Sequence, residues 1–195
     1  MSVPTKEQAT NFLAPLKGSV AILLLHDARA KFALARFLFS CVSVLSLGTT
    51  ILDSDAFYST NMEEFVDENR PAPKGEVLLL TERDFEVTSL LPLLSSRREL
   101  LVIDDLNSLY SLASDGRKSQ QLTILLKFIS YNARMNGSSV VATAYRTDLD
   151  QKRRGANQRS LTALGDLLID TDLRAGSIRL KASLKDYWPN GEYTL

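Results

Sequence analysis

Asp104 and Asp105 are the residues best placed to do chemistry. They close the apolar run of LLVIDDLNSLY, Leu100 to Tyr110. Leu100, Leu101, Val102 and Ile103 show no alternation of apolar and polar residues, so they predict a strand buried on both faces. Strands of that kind belong to parallel sheets covered by helices, and ligands of such sheets lie beyond the carboxyl ends of the strands. Two carboxylates delivered there can hold a divalent cation or polarise a water molecule. A second acidic strand end is TTILDSDAF, where Asp53 and Asp55 follow Thr49 to Leu52.

The partner site such acids would need is a phosphate-binding loop, and the stretch to compare with it is LHDARAKF, with Lys31, after the apolar run VAILLL of Val20 to Leu25. A phosphate-binding loop reads GxxxxGK[ST]. Its glycines let backbone N–H groups close on phosphate oxygens, its lysine offsets phosphate charge, and its hydroxyl binds Mg²⁺. With Lys31 set on the motif lysine, Leu25 and Ala30 stand at the glycine positions and Phe32 at the hydroxyl position. Asp27 adds a carboxylate that would repel a polyanion. The expectation is a direct strand-to-helix turn. Lys31, Asp104 and Asp105 are then the residues of a degenerate nucleotide site, with no cofactor expected, although ATP with magnesium stays open. No resident metal is expected either.

A third group is basic. RTDLDQKRRGANQR, Arg146 to Arg159, carries Arg146, Lys152, Arg153, Arg154 and Arg159 against Asp148 and Asp150. Clustered cations displace counterions from phosphates without reading base sequence. A solvated surface loop explains the same composition. Asp53 to Arg70 is the acidic counterpart, with six acids against one base, and reads as a solvated helix face.

The elements that must position these residues follow from the apolar pattern. Thr5 to Leu16 predicts a short helix with Thr5 and Gln8 as a capping box. After VAILLL comes a central helix from Ala28 to Leu47, apolar nearly all round, with Gly48 as its stop. Thr49 to Leu52 is a strand, and Ser59 or Thr60 can cap a helix running to about Asn69. RPAPKG is a loop and Glu76 to Leu80 a strand. Asp84 can cap a helix carrying Phe85, Leu90, Leu91 and Leu94, with Pro92 bending or ending it. Ser119 to Met135 is an amphipathic helix with Leu122, Leu125, Leu126, Ile129 and Ala133 on one face. Ser139 to Ala144 is a strand, and Ser160 to Gly165 a short helix. Leu167 to Ile169, Ser177 to Leu184 and Glu192 to Leu195 are closing strands, with Asn190-Gly191 as a hairpin turn. Alternating strands and helices, then antiparallel strands, predict an α/β fold: a mostly parallel sheet covered by helices with an antiparallel C-terminal edge.

Composition narrows the class. The 195 residues fit one domain, with 1–17 as a lead-in and 18–195 as the core. Charges balance at 23 against 23, so any affinity for nucleic acid rests on a local patch. The single cysteine, Cys41, excludes an intrachain disulfide, and one histidine, His26, leaves little for a zinc site. His26 reads as a polar residue at a strand end. The start has no signal-peptide pattern, and the most apolar stretch is interrupted by Arg36 and serines, so no membrane span and a cytoplasmic location are expected.

The order of these pieces resembles the core ATPase domain of the RecA-like recombinases, in particular the short RadA-type archaeal paralogues. KGSVAILLL is similar to the strand before their phosphate loop, TTILDSDAF to the strand with their catalytic acid, and LLVIDD to the Walker B strand. SLTALGDLLIDTDLRAGSIRLKASLKDYWPNGEY is similar to their closing helix, strand and hairpin. The resemblance spans the chain from Lys17 and rests on order and spacing. It implies a RecA-like core with a degenerate Walker A motif. Asp55 would stand at the catalytic acid position and Asp104 at the magnesium position, both as relics with no catalysis expected. Arg146 to Arg159 would match a DNA-binding loop.

The function so implied is a non-catalytic accessory factor in homologous recombination and DNA repair. It would bind single-stranded DNA, a recombinase or a recombinase paralogue, in a homo- or hetero-oligomer that is nucleoid-associated or nuclear. Two alternatives stay open: an ATPase with a non-standard loop using Lys31, Asp55 and Asp104, and a RecA-fold scaffold subunit without a DNA role.

Overall fold

The computed structural model describes residues 4–65, 74–81, 85–95, 98–113, 115–146, 164–174, 177–182 and 191–194. Its strands are β1 (Val20–Leu25), β2 (Thr49–Asp53), β3 (Gly75–Leu79), β4 (Leu100–Asp104), β5 (Ser139–Tyr145), β6 (Leu167–Arg174), β7 (Ser177–Ala182) and β8 (Gly191–Thr194). They form one eight-stranded sheet in the order β3-β2-β4-β5-β1-β6-β7-β8. The pairs from β3 to β6 are parallel, and β6-β7 and β7-β8 are antiparallel. The architecture is the mostly parallel α/β sheet with an antiparallel edge that the element order implies.

The unbroken apolar strands serve two cores, because side chains alternate across a sheet even where hydropathy does not. In β1, Ala21, Leu23 and Leu25 join one core with β4 residues Leu100 and Val102. Val20, Ile22 and Leu24 join the other with Leu101 and Ile103. The first core is covered by α1 (Lys6–Leu13) and α2 (Ala28–Leu45). The second is covered by α5 (Leu106–Leu112) and α6 (Gly116–Asn136).

The capping box forms as expected: Thr5 Oγ1 accepts from Gln8 N, and Gln8 Oε1 accepts from Thr5 N. Phe12 of α1 meets Phe37 of α2 edge-to-face at 4.9 Å. The helix α2 stops earlier than expected. Ser46, not Gly48, adopts the left-handed conformation at its end, with φ 54°. Between them α3 (Phe57–Phe65) and α2 hold an aromatic cluster. Phe39 stacks on Tyr58 at 5.5 Å, and Phe32 and Phe57 lie 5.3 and 5.8 Å from Phe65.

Other expectations are corrected or refined. Ser59 and Thr60 do not cap α3; both lie within it, and Asp55 Oδ1 accepts from Phe57 N at its start. The helix expected after Asp84 is two short turns, Val87–Leu90 (3-10) and α4, Pro92–Ser95, and it breaks where Pro92 was expected to bend or end it, because Pro92 has no N–H to continue a helix begun upstream. Helix α5 follows directly on Asp105, which is its N-cap. The helix α6 is longer than expected: Asp115 caps its start and Gly137, at φ 66°, its end. Gly75 is required by close approach, since a Cβ there would lie 2.2 Å from Thr49 O. The expected caps Asp84 and Ser160 lie outside the described residues, as does most of the Asn190-Gly191 turn.

Candidate functional site

The carboxyl ends of β1, β2, β4 and β5 meet at one sheet edge. Register places Asp53 of β2 beside Asp104 of β4, and Ile103 beside Ala142, which brings Thr143 of β5 next to Asp104. The α2 helix starts at this edge and delivers Lys31 one turn in. Lys31 is only 2% exposed.

Its ammonium is enclosed by acids. Nζ lies 2.6 Å from Asp55 Oδ2, 2.8 Å from Asp104 Oδ2 and 3.7 Å from Asp105 Oδ2. The Phe57 ring stands 4.4 Å from Nζ and the Tyr145 ring 5.9 Å, so the cation also faces two aromatic π-systems. The sequence-selected residues Lys31, Asp55, Asp104 and Asp105 are thus brought together. Phe32, at the position where a phosphate loop carries a hydroxyl, packs into the aromatic cluster instead, 6.4 Å from the Phe57 ring.

Each acid is held by a second contact. Asp104 is fully buried, and its Oδ1 accepts from Thr143 Oγ1 at 2.5 Å. Asp105 Oδ1 accepts from Ser108 N at 2.6 Å as the α5 cap, and the peptide joining it to Asp104 is cis. Ser54 Oγ shares its hydrogen between the carbonyls of Asp104 and Asp105, at 2.8 and 2.9 Å. Asp53, also fully buried, accepts at Oδ2 from Ser59 N and Oγ, at 2.7 and 2.6 Å. Ser59 and Thr143 lay outside the residues singled out from sequence as site candidates, and Asp53 figured there only as an acid at a strand end. Parallel pairing would have found Thr143, because a residue aligned with a strand-end acid on the neighbouring strand shares its edge.

The electrostatics follow from one cation among several anions in a dry place. Burial disfavours the charged form of Lys31, but Asp104 and Asp55 outweigh it and hold the ammonium above the ordinary lysine range. A lysine so protonated has no lone pair for base or nucleophile chemistry. Asp104 is pushed up to about 7, first by burial, with Lys31 and Thr143 opposing. Burial also raises Asp105. Carboxylate oxygens of Asp53, Asp55 and Asp104 lie within 4.8 Å of one another, a spacing that could hold a metal ion. The cation at Asp55 and Asp104 in this structure is the Lys31 ammonium.

The approach to the site is narrow in chain length. Between β1 and α2 stand only His26 and Asp27, both exposed. Asp27 caps α2, its Oδ1 accepting from Ala30 N at 2.8 Å. A phosphate at that helix end would compete with Asp27 for the same N–H. The loop candidates divide differently. Arg146 Nη1 lies 2.8 Å from Asp170 Oδ1, an ion pair at the end of β5. Lys152, Arg153, Arg154 and Arg159 lie outside the described residues.

Among solved structures, the chain is similar to a KaiC-like protein from the hyperthermophilic archaeon Pyrococcus horikoshii OT3. The TM-score is 0.60 over 91% of this chain and 84% of that one, at 12% identity. The fold is RecA-like. No protein-family model matches the chain, and no curated protein matches it. At 12% identity the likeness carries the RecA-like architecture and the sheet edge, and leaves the chemistry to the residues themselves. No helix among the described residues is long and apolar enough to cross a membrane.

Proposed function

We propose that this RecA-fold chain does not turn over ATP and acts as an accessory factor in homologous recombination and DNA repair, binding single-stranded DNA, a recombinase partner, or both. The observation that carries the non-catalytic part is the enclosure of Lys31. Its ammonium is bound by Asp55 and Asp104 at 2.6 and 2.8 Å and is 2% exposed. A magnesium nucleotide would need that lysine for phosphate and Asp104 for the metal. Here each residue satisfies the other. Asp27 takes the α2 N–H that a phosphate would use, and the two-residue turn leaves no glycine-rich cradle. These residues do not fit a magnesium nucleotide.

The DNA part rests on the resemblance and on Lys152, Arg153, Arg154 and Arg159 in the segment after β5. Their cations would contact phosphates without reading bases. Arg146 contributes less, since Asp170 already engages it.

Calorimetric titration with magnesium ATP tests the first part, with no heat of binding expected at millimolar nucleotide. Binding that Lys31→Ala abolishes would establish the nucleotide reading instead. Fluorescence anisotropy with labelled single-stranded DNA tests the second. Salt-sensitive binding is expected, and it should be lost when Lys152, Arg153 and Arg154 are changed together to Ala. If DNA does not bind, alone or with a recombinase, the scaffold reading replaces this one.

A further inference from the structure

The helix α6 has two apolar faces. Leu122, Leu125, Leu126, Ile129 and Ala133 are buried against the sheet. Ile124, Phe128, Tyr131 and Met135 point away from it and are 56%, 58%, 57% and 68% exposed. Beside the outer stripe runs a groove of about 390 Å³, formed with Val87, Leu91 and Leu94 of the neighbouring short turns. Leu91 is itself about half exposed. Contiguous exposed apolar side chains of this size mark an interaction surface.

Spacing points to the shape of the partner. Ile124, Phe128, Tyr131 and Met135 follow one another at four, three and four residues. That is the alternation of a coiled-coil seam, in which knobs repeat every 3.5 residues and fit holes on a second helix. A flat sheet edge or an extended peptide repeats at two residues and matches only part of it. At 1.5 Å rise per residue the seam is about 16 Å long, enough to seat two turns of a partner and more.

Charge points to its chemistry. Over its 21 residues, α6 carries Arg117, Lys118, Lys127 and Arg134 and no Asp or Glu. Lys118, Lys127 and Arg134 occupy the positions flanking the seam, which in coiled coils choose the partner by charge. Lys118 pairs with Glu86 and Arg134 with Asp166. Lys127 and Arg117 are exposed and form no ion pair among the described residues. Arg117 also stands in the first turn, where the helix dipole disfavours a cation. Carboxylates from outside would relieve it.

We infer that the outer face of α6, with the groove beside it, docks an acidic amphipathic helix of a partner protein. This goes beyond the accessory-factor reading and does not depend on its nucleotide or DNA parts, because no residue of the sheet edge is involved.

The test uses the full chain and two labelled synthetic three-heptad peptides with Leu at the seam positions. One carries Glu at the flanking positions and the other Lys. By fluorescence anisotropy, the Glu peptide should bind at least tenfold more tightly than the Lys peptide, and more weakly as salt rises. Phe128→Ser with Met135→Ser should weaken it at least tenfold. Lys127→Glu, a change outside any packed contact, should narrow or reverse the preference between peptides. Circular dichroism melts establish that the variants remain folded. Equal binding of both peptides, no binding, or binding that survives the double substitution overturns the proposal. Sedimentation completes it: a chain that is monomeric with and without the substitutions agrees, whereas a dimer dissolved by Phe128→Ser with Met135→Ser makes a second copy the occupant and overturns the assignment to an acidic helix.

Discussion

Two regions of this molecule break the ordinary partition of polar outside and apolar inside, in opposite directions. At the carboxyl edge of the sheet, Lys31, Asp104 and Asp105 are charged groups at most 2% exposed. On the outer face of α6, Ile124, Phe128, Tyr131 and Met135 are apolar groups more than half exposed. The first violation is largely answered from within, since every acid near Lys31 has a cation, hydroxyl or amide beside it, while Asp53 Oδ1 on the neighbouring strand is buried without a hydrogen-bond partner among the described residues. The second is not answered by any described residue. An exception that is satisfied internally belongs to the architecture. One left open looks outward. At the RecA-like sheet edge the charges meet one another, Lys31 with Asp55 and Asp104, whereas the apolar stripe of α6 is covered by no described residue.

The sharpest break in that comparison is Lys31→Met. It removes the cation and leaves Asp55, Asp104 and Asp105 facing one another in a dry site. Breaking a buried pair by deleting one partner costs about 3–5 kcal/mol, read as a lower urea midpoint at pH 7.5. The loss should shrink at pH 5, where Asp104 takes up a proton. An unchanged midpoint would show that the edge does not depend on its internal cation.

Ser59→Ala comes next. It removes one of two donors to Asp53 Oδ2 and keeps the Ser59 N–H. A hydrogen bond to a buried carboxylate is worth about 1.5–3 kcal/mol, and the midpoint should fall accordingly. An effect near zero would mean that Asp53 is held by its backbone amide contact alone.

The pH dependence follows from the directions of the shifts. Asp104 has a folded pKa of about 7 against an ordinary 3.8, so between those values the folded chain holds a proton that the unfolded chain has released. Its stabilising effect is complete below about pH 4 and is lost as pH climbs through 7. Lys31, raised above the ordinary 10.5, contributes stability that is full below that value and lost only at higher pH, so it does not titrate in the same window. Urea midpoints should therefore decline between pH 5 and 7.5. Asp104→Asn should reduce that slope, and Asp105, also raised, retains part of it. A slope unchanged in the variant would place the titration elsewhere.

Much of the sheet edge was legible in the sequence, for a physical reason. Strands buried on both faces leave runs such as VAILLL and LLVID, and the residues that end them must lie at one edge. Asp55, Asp104 and Asp105 follow such runs directly, whereas Lys31 joined them only through the resemblance to RecA-like motif positions. Thr143 and Ser59 were harder, because their roles depend on register and on where α3 begins. The α5 helix was missed because LNSLYSL is short and follows directly on Asp105, whose capping carboxylate is easily read as part of the acid pair. The outer stripe of α6 was missed because a helix apolar on two faces yields its buried stripe first. Exposure separates the two, and only packing decides exposure.

The smallest effect on stability should come from the open region. Phe128→Ser removes a large side chain from a face that touches little, and surface changes of this kind usually stay within about 0.5 kcal/mol. By contrast, a truncation of comparable size within the buried stripe, Leu126→Ala, should cost about 2–5 kcal/mol. Measured side by side on one helix, the pair separates a face that holds the fold from a face that the fold does not need. Should Phe128→Ser destabilise the isolated chain as strongly as Leu126→Ala, the outer stripe would be part of the core, and the contrast with the sheet edge would fall. With Phe128 near neutral for stability, the exposed apolar area of Ile124, Phe128, Tyr131 and Met135 has no work within the chain, and a partner becomes the physical reason for its presence.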